Sequence, residues 1–189
     1  MEPVEGRPRL VIFGAGHVGR ATARVALSLG FRVVVVDDRE ELNTEARFEG
    51  CERLLLEPAE AVDDVHPDAG DWLLIVTHDH QLDEEALDVY ARLPHAYLGL
   101  IGSRRKVYRI LHRIDSKRGL PDLSRVYAPV GIDIGAVSPE EIAISIASEL
   151  VALRHGKSGA HLRAVDDPAL AKVLGGELTP EAAARLPED

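Results

Sequence analysis

Four groups of residues in this sequence combine types and spacings that could do chemistry. The first is Gly14-Ala15-Gly16-His17-Val18-Gly19, a Gly-x-Gly-x-x-Gly loop. In such a loop the first glycine permits a tight turn, the second lets a pyrophosphate approach the backbone, and the third lets a helix lie close to its strand. The amides of the helix start, those of His17, Val18 and Gly19, then face the anion. The second group is Asp37, placed about 20 residues beyond the loop, where a dinucleotide fold puts a carboxylate that accepts from a ribose 2′-OH. That carboxylate repels a 2′-phosphate and Arg39 softens the repulsion, so NAD is favoured over NADP only modestly. The third group is Thr77-His78-Asp79-His80. The fourth is Gly102-Ser103-Arg104-Arg105-Lys106, with Asp133 further along.

Imidazoles orient ligands, transfer protons or hold metals. Thr77 and His78 are therefore expected at a ligand, and His78, Asp79 and His80 are the candidates for any catalytic role. His-Asp-His falls short of a metal centre without a third ligand from elsewhere, so no metal is expected. The competing expectation is that this loop only caps the next helix. In the fourth group three cations crowd the positive end of a helix, where they are mildly unfavourable. A bound anion would offset that, with Gly102 and Ser103 adding backbone and hydroxyl donors. The competing expectation is a basic run that points into water. Asp133 lies in a glycine-punctuated loop, where it contacts ligand or satisfies turn amides.

Such groups need elements to hold them. Residues 10–13, 31–36, 53–57, 72–77 and 96–101 read as apolar strands, and a further short strand includes Val126. Helices are predicted over 17–29, 58–65, from 82 or 83 to 93, and from the basic run to about 118. In the first helix Val18, Ala21 or Thr22, Val25, Ala26 and Leu29 form the apolar side. Asp83, Glu84 and Glu85 fall in the first turn of the third, where the dipole favours them. The last helix opens with Ser138 as cap, Pro139 at the first helical position and Glu141 closing a capping box. Residues 38–50 are polar and read as a loop. Strands alternating with helices predict an α/β fold: a doubly wound, Rossmann-type parallel sheet in three layers, with ligands outside the strand carboxyl ends. Residues 9–156 form that domain. Residues 157–189 are a tail with weak helical patches near 168–174 and 179–186, a docking arm or loosely ordered.

The totals set bounds. The chain has 189 residues, 22 basic and 32 acidic, for a net charge of −10. That charge works against binding nucleic acid or an anionic membrane. Cys51 is the only cysteine, so no intrachain disulfide forms and a reducing compartment is expected. It reads as a passive boundary residue, with no neighbouring His or basic cluster to activate it. With neither a leader nor an apolar span, a cytoplasmic location is expected. Aromatics make up 4%, which leaves the core to Val, Leu, Ile and Ala.

Taken in order, Ile12-Phe13-Gly14-Ala15-Gly16-His17-Val18-Gly19, Thr77-His78-Asp79-His80, Gly99-Leu100-Ile101-Gly102-Ser103-Arg104-Arg105-Lys106, and Pro129-Val130-Gly131-Ile132-Asp133-Ile134-Gly135-Ala136 with Ser138-Pro139-Glu140-Glu141-Ile142-Ala143 resemble the Rossmann domain of the XdhC/CoxI family. The glycine loop is generic, the last two motifs are specific, and the match runs over about residues 10–154. The resemblance implies an accessory protein for molybdenum hydroxylases such as xanthine dehydrogenase. Such proteins bind the molybdenum cofactor (molybdopterin, a phosphorylated pterin), protect it during sulfuration and pass it to the apoenzyme, in some cases with a cysteine desulfurase as partner. It assigns Gly14, Gly16 and Gly19 to a first phosphate site, Ser103, Arg104, Arg105 and Lys106 to a second, and His78, Asp79, His80 and Asp133 to the pterin. It also implies an N-terminal domain with a cysteine-containing motif, which Cys51 does not match. A homo-oligomer is expected.

Two other readings stand beside this one. An NAD(P)-dependent oxidoreductase would use Asp37 at the ribose and His78 or His80 as proton donor. A nucleotide-sensing regulatory domain, like those that gate potassium uptake, resembles the first half but lacks the motifs at 102–106 and 129–143.

Overall fold

The computed structural model describes residues 6–162 together with Lys172, Gly175 and Thr179. Six parallel strands, β1 (Arg9–Phe13), β2 (Arg32–Val36), β3 (Glu52–Leu54), β4 (Trp72–Ile75), β5 (Tyr97–Leu100) and β6 (Val126–Tyr127), form one sheet in the order β3-β2-β1-β4-β5-β6. The direction of strand addition reverses between β1 and β4, which is the switch point of a Rossmann-type sheet. Helices α1 (His17–Ser28) and α5 (Pro139–Arg154) cover one face, and α2 (Val62–Val65), α3 (His80–Tyr90) and α4 (Arg104–Arg118) cover the other.

Covering both faces explains the unbroken apolar strands, since alternate residues of each strand serve different layers. Val11, Phe13, Leu73 and Ile75 meet Leu87 and Tyr90 of α3 and Ile110 of α4. Leu10, Ile12 and Leu74 meet Ala23 and Ala26 of α1 and Ile146 and Leu150 of α5. Each Val, Leu, Ile or Phe among these, fully buried, contributes about 2 kcal/mol. Phe13 and Tyr90 pack together within the first of these layers, and half of the aromatics gather in the second. Phe31, Trp72, Tyr97 and Tyr127 form a row across the α1/α5 face, with successive ring centroids 5.9, 5.3 and 4.9 Å apart.

Strand register positions the site. Phe13 lies opposite Val36 and Ile75, and Ile75 opposite Leu100, so four strands end in one row. Neighbouring strands lie about 4.8 Å apart, so the loops after β1 and β5 leave the sheet roughly 10 Å from each other.

Several predicted boundaries move, each for a physical reason. The buried side of α1 is Gly19, Thr22, Ala23 and Ala26, while Val18, Val25 and Leu29 are half-buried. Small residues let α1 lie close, and a Cβ on Gly19 would stand 1.9 Å from the Gly14 carbonyl oxygen. The helix predicted over 58–65 divides into a 3-10 turn at Pro58–Glu60 and the single turn of α2. The Pro58 carbonyl accepts from the buried Tyr90 hydroxyl at 2.9 Å and from Ala61 N at 3.4 Å, which favours the tighter turn. α3 starts at His80, before the predicted 82 or 83, because Asp79 caps it by accepting from the amides of Gln81 and Leu82. Asp83 lies in the first turn as expected, and both it and Glu84 are buried and ion-paired, so cations as well as the helix dipole hold them. β3 has three residues, not five. The capping box of α5 forms as its sequence predicts.

The chain divides after Gly156. Of the part that follows, residues 157–162, Lys172, Gly175 and Thr179 are described, and the helical patches expected near 168–174 and 179–186 lie largely outside the described residues. Among the described residues no helix is long and apolar enough to cross a membrane.

Candidate functional site

The glycine loop turns sharply off β1. Gly14 has φ +128°, its amide donates to Val36 O at 2.9 Å, and a Cβ there would meet Val76 O at 2.4 Å. Gly16 is different: no atom lies within 4 Å of where its Cβ would stand. Gly14 and Gly19 thus serve the fold, and Gly16 faces open space where a ligand can approach. The start of α1 has no side-chain cap and no acidic residue in its first turn, so the His17, Val18 and Gly19 amides are left for an anion.

Asp37, at the end of β2, is 3% exposed and fully engaged. Its Oδ2 accepts from Ala15 N at 2.6 Å and from Arg39 Nη2 at 2.6 Å. Its Oδ1 accepts from Arg39 N at 3.0 Å and Arg39 Nε at 2.8 Å. Burial by itself raises this carboxyl's pKa, but the Arg39 guanidinium and the two amides outweigh burial and hold it below the usual carboxylate range. The segment after Arg39 is fastened over the same strand ends. Asn43 Nδ2 donates to Asp37 O and Leu54 O, Arg47 Nη2 donates to Ala15 O at 3.1 Å, and Phe48 is buried.

At the end of β4, Thr77 donates to Asp83 Oδ1 through its amide at 3.2 Å and its hydroxyl at 2.7 Å. Asp83 is completely buried, and its other oxygen receives Lys106 Nζ. Hydrogen bonds therefore run from the end of β4 to the start of α4. His78, Asp79 and His80 are exposed. Asp79 is occupied as the cap of α3, and the amides of Gln81 and Leu82 lower its carboxyl pKa. Among the described residues no group of three or more His, Cys, Asp and Glu could hold a metal ion.

The basic run separates. Lys106 is committed to Asp83 and its Cδ would lie 2.7 Å from a Cβ on Gly102. Ser103 Oγ caps α4 by accepting from Lys106 N at 3.2 Å. Arg105 lines a shallow groove of about 470 Å³ on the outer side of α4, with Tyr108 and Arg109. Arg104 lines a second pocket of about 530 Å³, with Gly102 and residues 129–136, Asp133 among them. The structure brings Gly102, Arg104 and Asp133 together, and it sends Arg105 and Lys106 elsewhere. Ile132, Ile142 and Ser145 also line this pocket and were missed as site residues. Their signal was present in the Gly131-Ile132-Asp133-Ile134-Gly135 run and the helix that follows it. The loop is held from behind by Glu149 Oε1, which accepts from Gly131 N at 3.1 Å and from the buried Tyr97 hydroxyl at 2.6 Å.

Residues 10–150 match the family model described as the XdhC Rossmann domain. The chain belongs to the XdhC family. An uncharacterized protein, YqeB, of Escherichia coli (strain K12) is 42% identical over 159 residues, covering 81% of this chain and 28% of that protein. A probable xanthine dehydrogenase subunit of Bacillus subtilis (strain 168) is 32% identical over 155 residues, covering 82% of this chain and 45% of that protein. The crystal structure of a xanthine dehydrogenase from Bacillus halodurans superposes with a TM-score of 0.72 at 34% identity, covering 79% of this chain and 45% of that one. The chain thus spans less than half the length of these XdhC relatives.

Proposed function

We propose that this XdhC domain binds the molybdenum cofactor and serves the maturation of a xanthine dehydrogenase-type molybdenum hydroxylase. The observation that carries this reading is the pocket beside Arg104, which opens on the same sheet edge as the uncapped start of α1. A volume of about 530 Å³ suits a ring system bearing a phosphate. Arg104 offers a bidentate donor fork to the phosphate, while Gly16 leaves the backbone of α1 open to a second anionic group. His78 and Asp133 would hydrogen-bond the polar edge of the pterin. The bound cofactor supplies the redox chemistry of the client enzyme, and this chain's residues hold it, orient it and shield it from water.

The partners in this reading are the apoenzyme, a cysteine desulfurase as sulfur source and a second copy of the chain, all in the cytoplasm. An NAD(P)-dependent oxidoreductase would need the Asp37 carboxylate, whose acceptor sites are already filled. Mass spectrometry of ligand released from protein expressed in a host that makes molybdenum cofactor tests the reading. A phosphorylated pterin is the expected result, and release of NAD(P) or of no ligand would overturn it.

A further inference from the structure

A carboxylate has two oxygens and about four lone-pair sites. At Asp37 all four are occupied from within the chain: two by the Arg39 side chain, one by the Arg39 amide and one by the Ala15 amide. A ribose diol at this position needs at least one of those sites as acceptor for its 2′-OH. Ala15 cannot release its share, because it belongs to the turn that forms the glycine loop. Any vacancy must come from Arg39, and removing Arg39 leaves a carboxylate with 4% of its side chain exposed and no counter-charge.

We propose that Arg39 and Asp37 form a closed clasp that bars the adenosine ribose of a dinucleotide, making this pair the specificity determinant of the cleft. The inference deepens the reading of the cleft as a site for a phosphorylated pterin and rests on it for the ligand that is admitted. Two further contacts reinforce the bar. Arg47 donates to Ala15 O, and Asn43 donates to Asp37 O, so the 38–50 segment is tied down on both sides of the clasp. The other half of the edge, over β5 and β6, keeps the open pocket lined by Gly102, Arg104 and Asp133. The cleft therefore admits a ligand with one phosphorylated ring system and rejects one that must also seat a ribose beside β2.

An arginine near this position can instead receive the 2′-phosphate of NADP. Here the geometry opposes that role. Nε and Nη2 of Arg39 both face Asp37, so a phosphate held by the remaining Nη1 would stand beside the Asp37 carboxylate, whose like charge opposes it.

The test titrates the full chain with ADP-ribose, NADH and NADPH, following NADH and NADPH by fluorescence and ADP-ribose by calorimetry. Wild-type protein is expected to show no saturation up to about 1 mM. Arg39→Ala should bind ADP-ribose and NADH at least about tenfold more tightly than that limit, and Arg39→Ala combined with Asp37→Ala should lose the gain. Arg39→Gln, which keeps the bulk of the side chain but not its charge, serves if the alanine variant fails to fold by circular dichroism. Saturation of wild type by any of the three ligands below about 1 mM would overturn the clasp. A folded Arg39 variant without a gain, or a gain that survives loss of Asp37, would do the same. Identification of pterin released from wild type is a separate measurement: its failure strikes the accessory role, whereas the dinucleotide titrations judge the clasp.

Discussion

Arg104 and Arg105 are neighbours in sequence with different surroundings, because adjacent residues on a helix point about 100° apart. Arg104 lines the pocket with Asp133, and Arg105 lines the outer groove with Tyr108. Arg104→Glu should therefore weaken retention of a phosphorylated pterin by more than tenfold, about 1.4 kcal/mol or greater, while Arg105→Glu leaves it unchanged. Equal losses in a binding assay would count against the pocket. The glycines divide in the same way. Gly19→Ala drives a methyl into the Gly14 carbonyl and should cost about 2–3 kcal/mol in a urea melt. Gly16→Ala meets open space and should leave stability within about 0.5 kcal/mol while reducing ligand binding. The sequence offered the three glycines as one motif. The separate part the motif gives each glycine agrees with the distances from each absent Cβ, close at Gly14 and Gly19 and open at Gly16. Arg39 was legible only as a charge that softens Asp37, since nothing in residue type says that one side chain will fill another's acceptor sites.

At the scale of elements, the pairing of β4, α3 and α4 through Thr77, Asp83 and Lys106 has the clearest energetic consequence. Lys106→Ala would leave the completely buried Asp83 without its cation and should destabilise the protein by about 3 kcal/mol. Arg113 and Lys117 also bind a buried partner, Glu84, but are themselves more than half exposed, so removing either should cost under about 1 kcal/mol. Chemical denaturation of the single variants distinguishes the two cases. Strands and helices were legible because their signals are local: apolar runs, Gly30 after α1, and Ser138-Pro139-Glu140-Glu141 before α5. The Asp83 to Lys106 pair was not, because it joins positions 23 residues apart. The three acids after Leu82 instead suggested a helix start two or three residues late, whereas the competing expectation of a capping loop agrees with the cap that Asp79 forms.

For the whole molecule, two buried carboxylates tie stability to acid. Asp37 and Glu84 both titrate below their ordinary values; burial opposes this, but hydrogen-bonded cations outweigh it. Lowered folded-state values mean that their stabilisation is complete above the unfolded pKa of about 4 and is lost as pH falls through the lower folded values. Thermal midpoints should therefore hold between about pH 5 and 7 and drop below about pH 4. Arg39→Gln should flatten part of that drop, because the ordinary and folded values of Asp37 then draw together. The parallel order and the switch between β1 and β4 were legible from strand, loop, helix and acid in sequence. The division of the basic run among three surroundings was not, because it depends on how α4 is rotated against the sheet.

The row of stacked rings gives the protein a built-in optical gauge. Trp72, the sole indole, opens β4 at the amino end of the sheet and is wedged between Phe31 and Tyr97. Its emission should shift to the red when the strands come apart and remain steady when a small molecule docks at the opposite edge, some three residues or about 10 Å along the strand. Unfolding and occupancy can thus be followed in the same cuvette as independent signals.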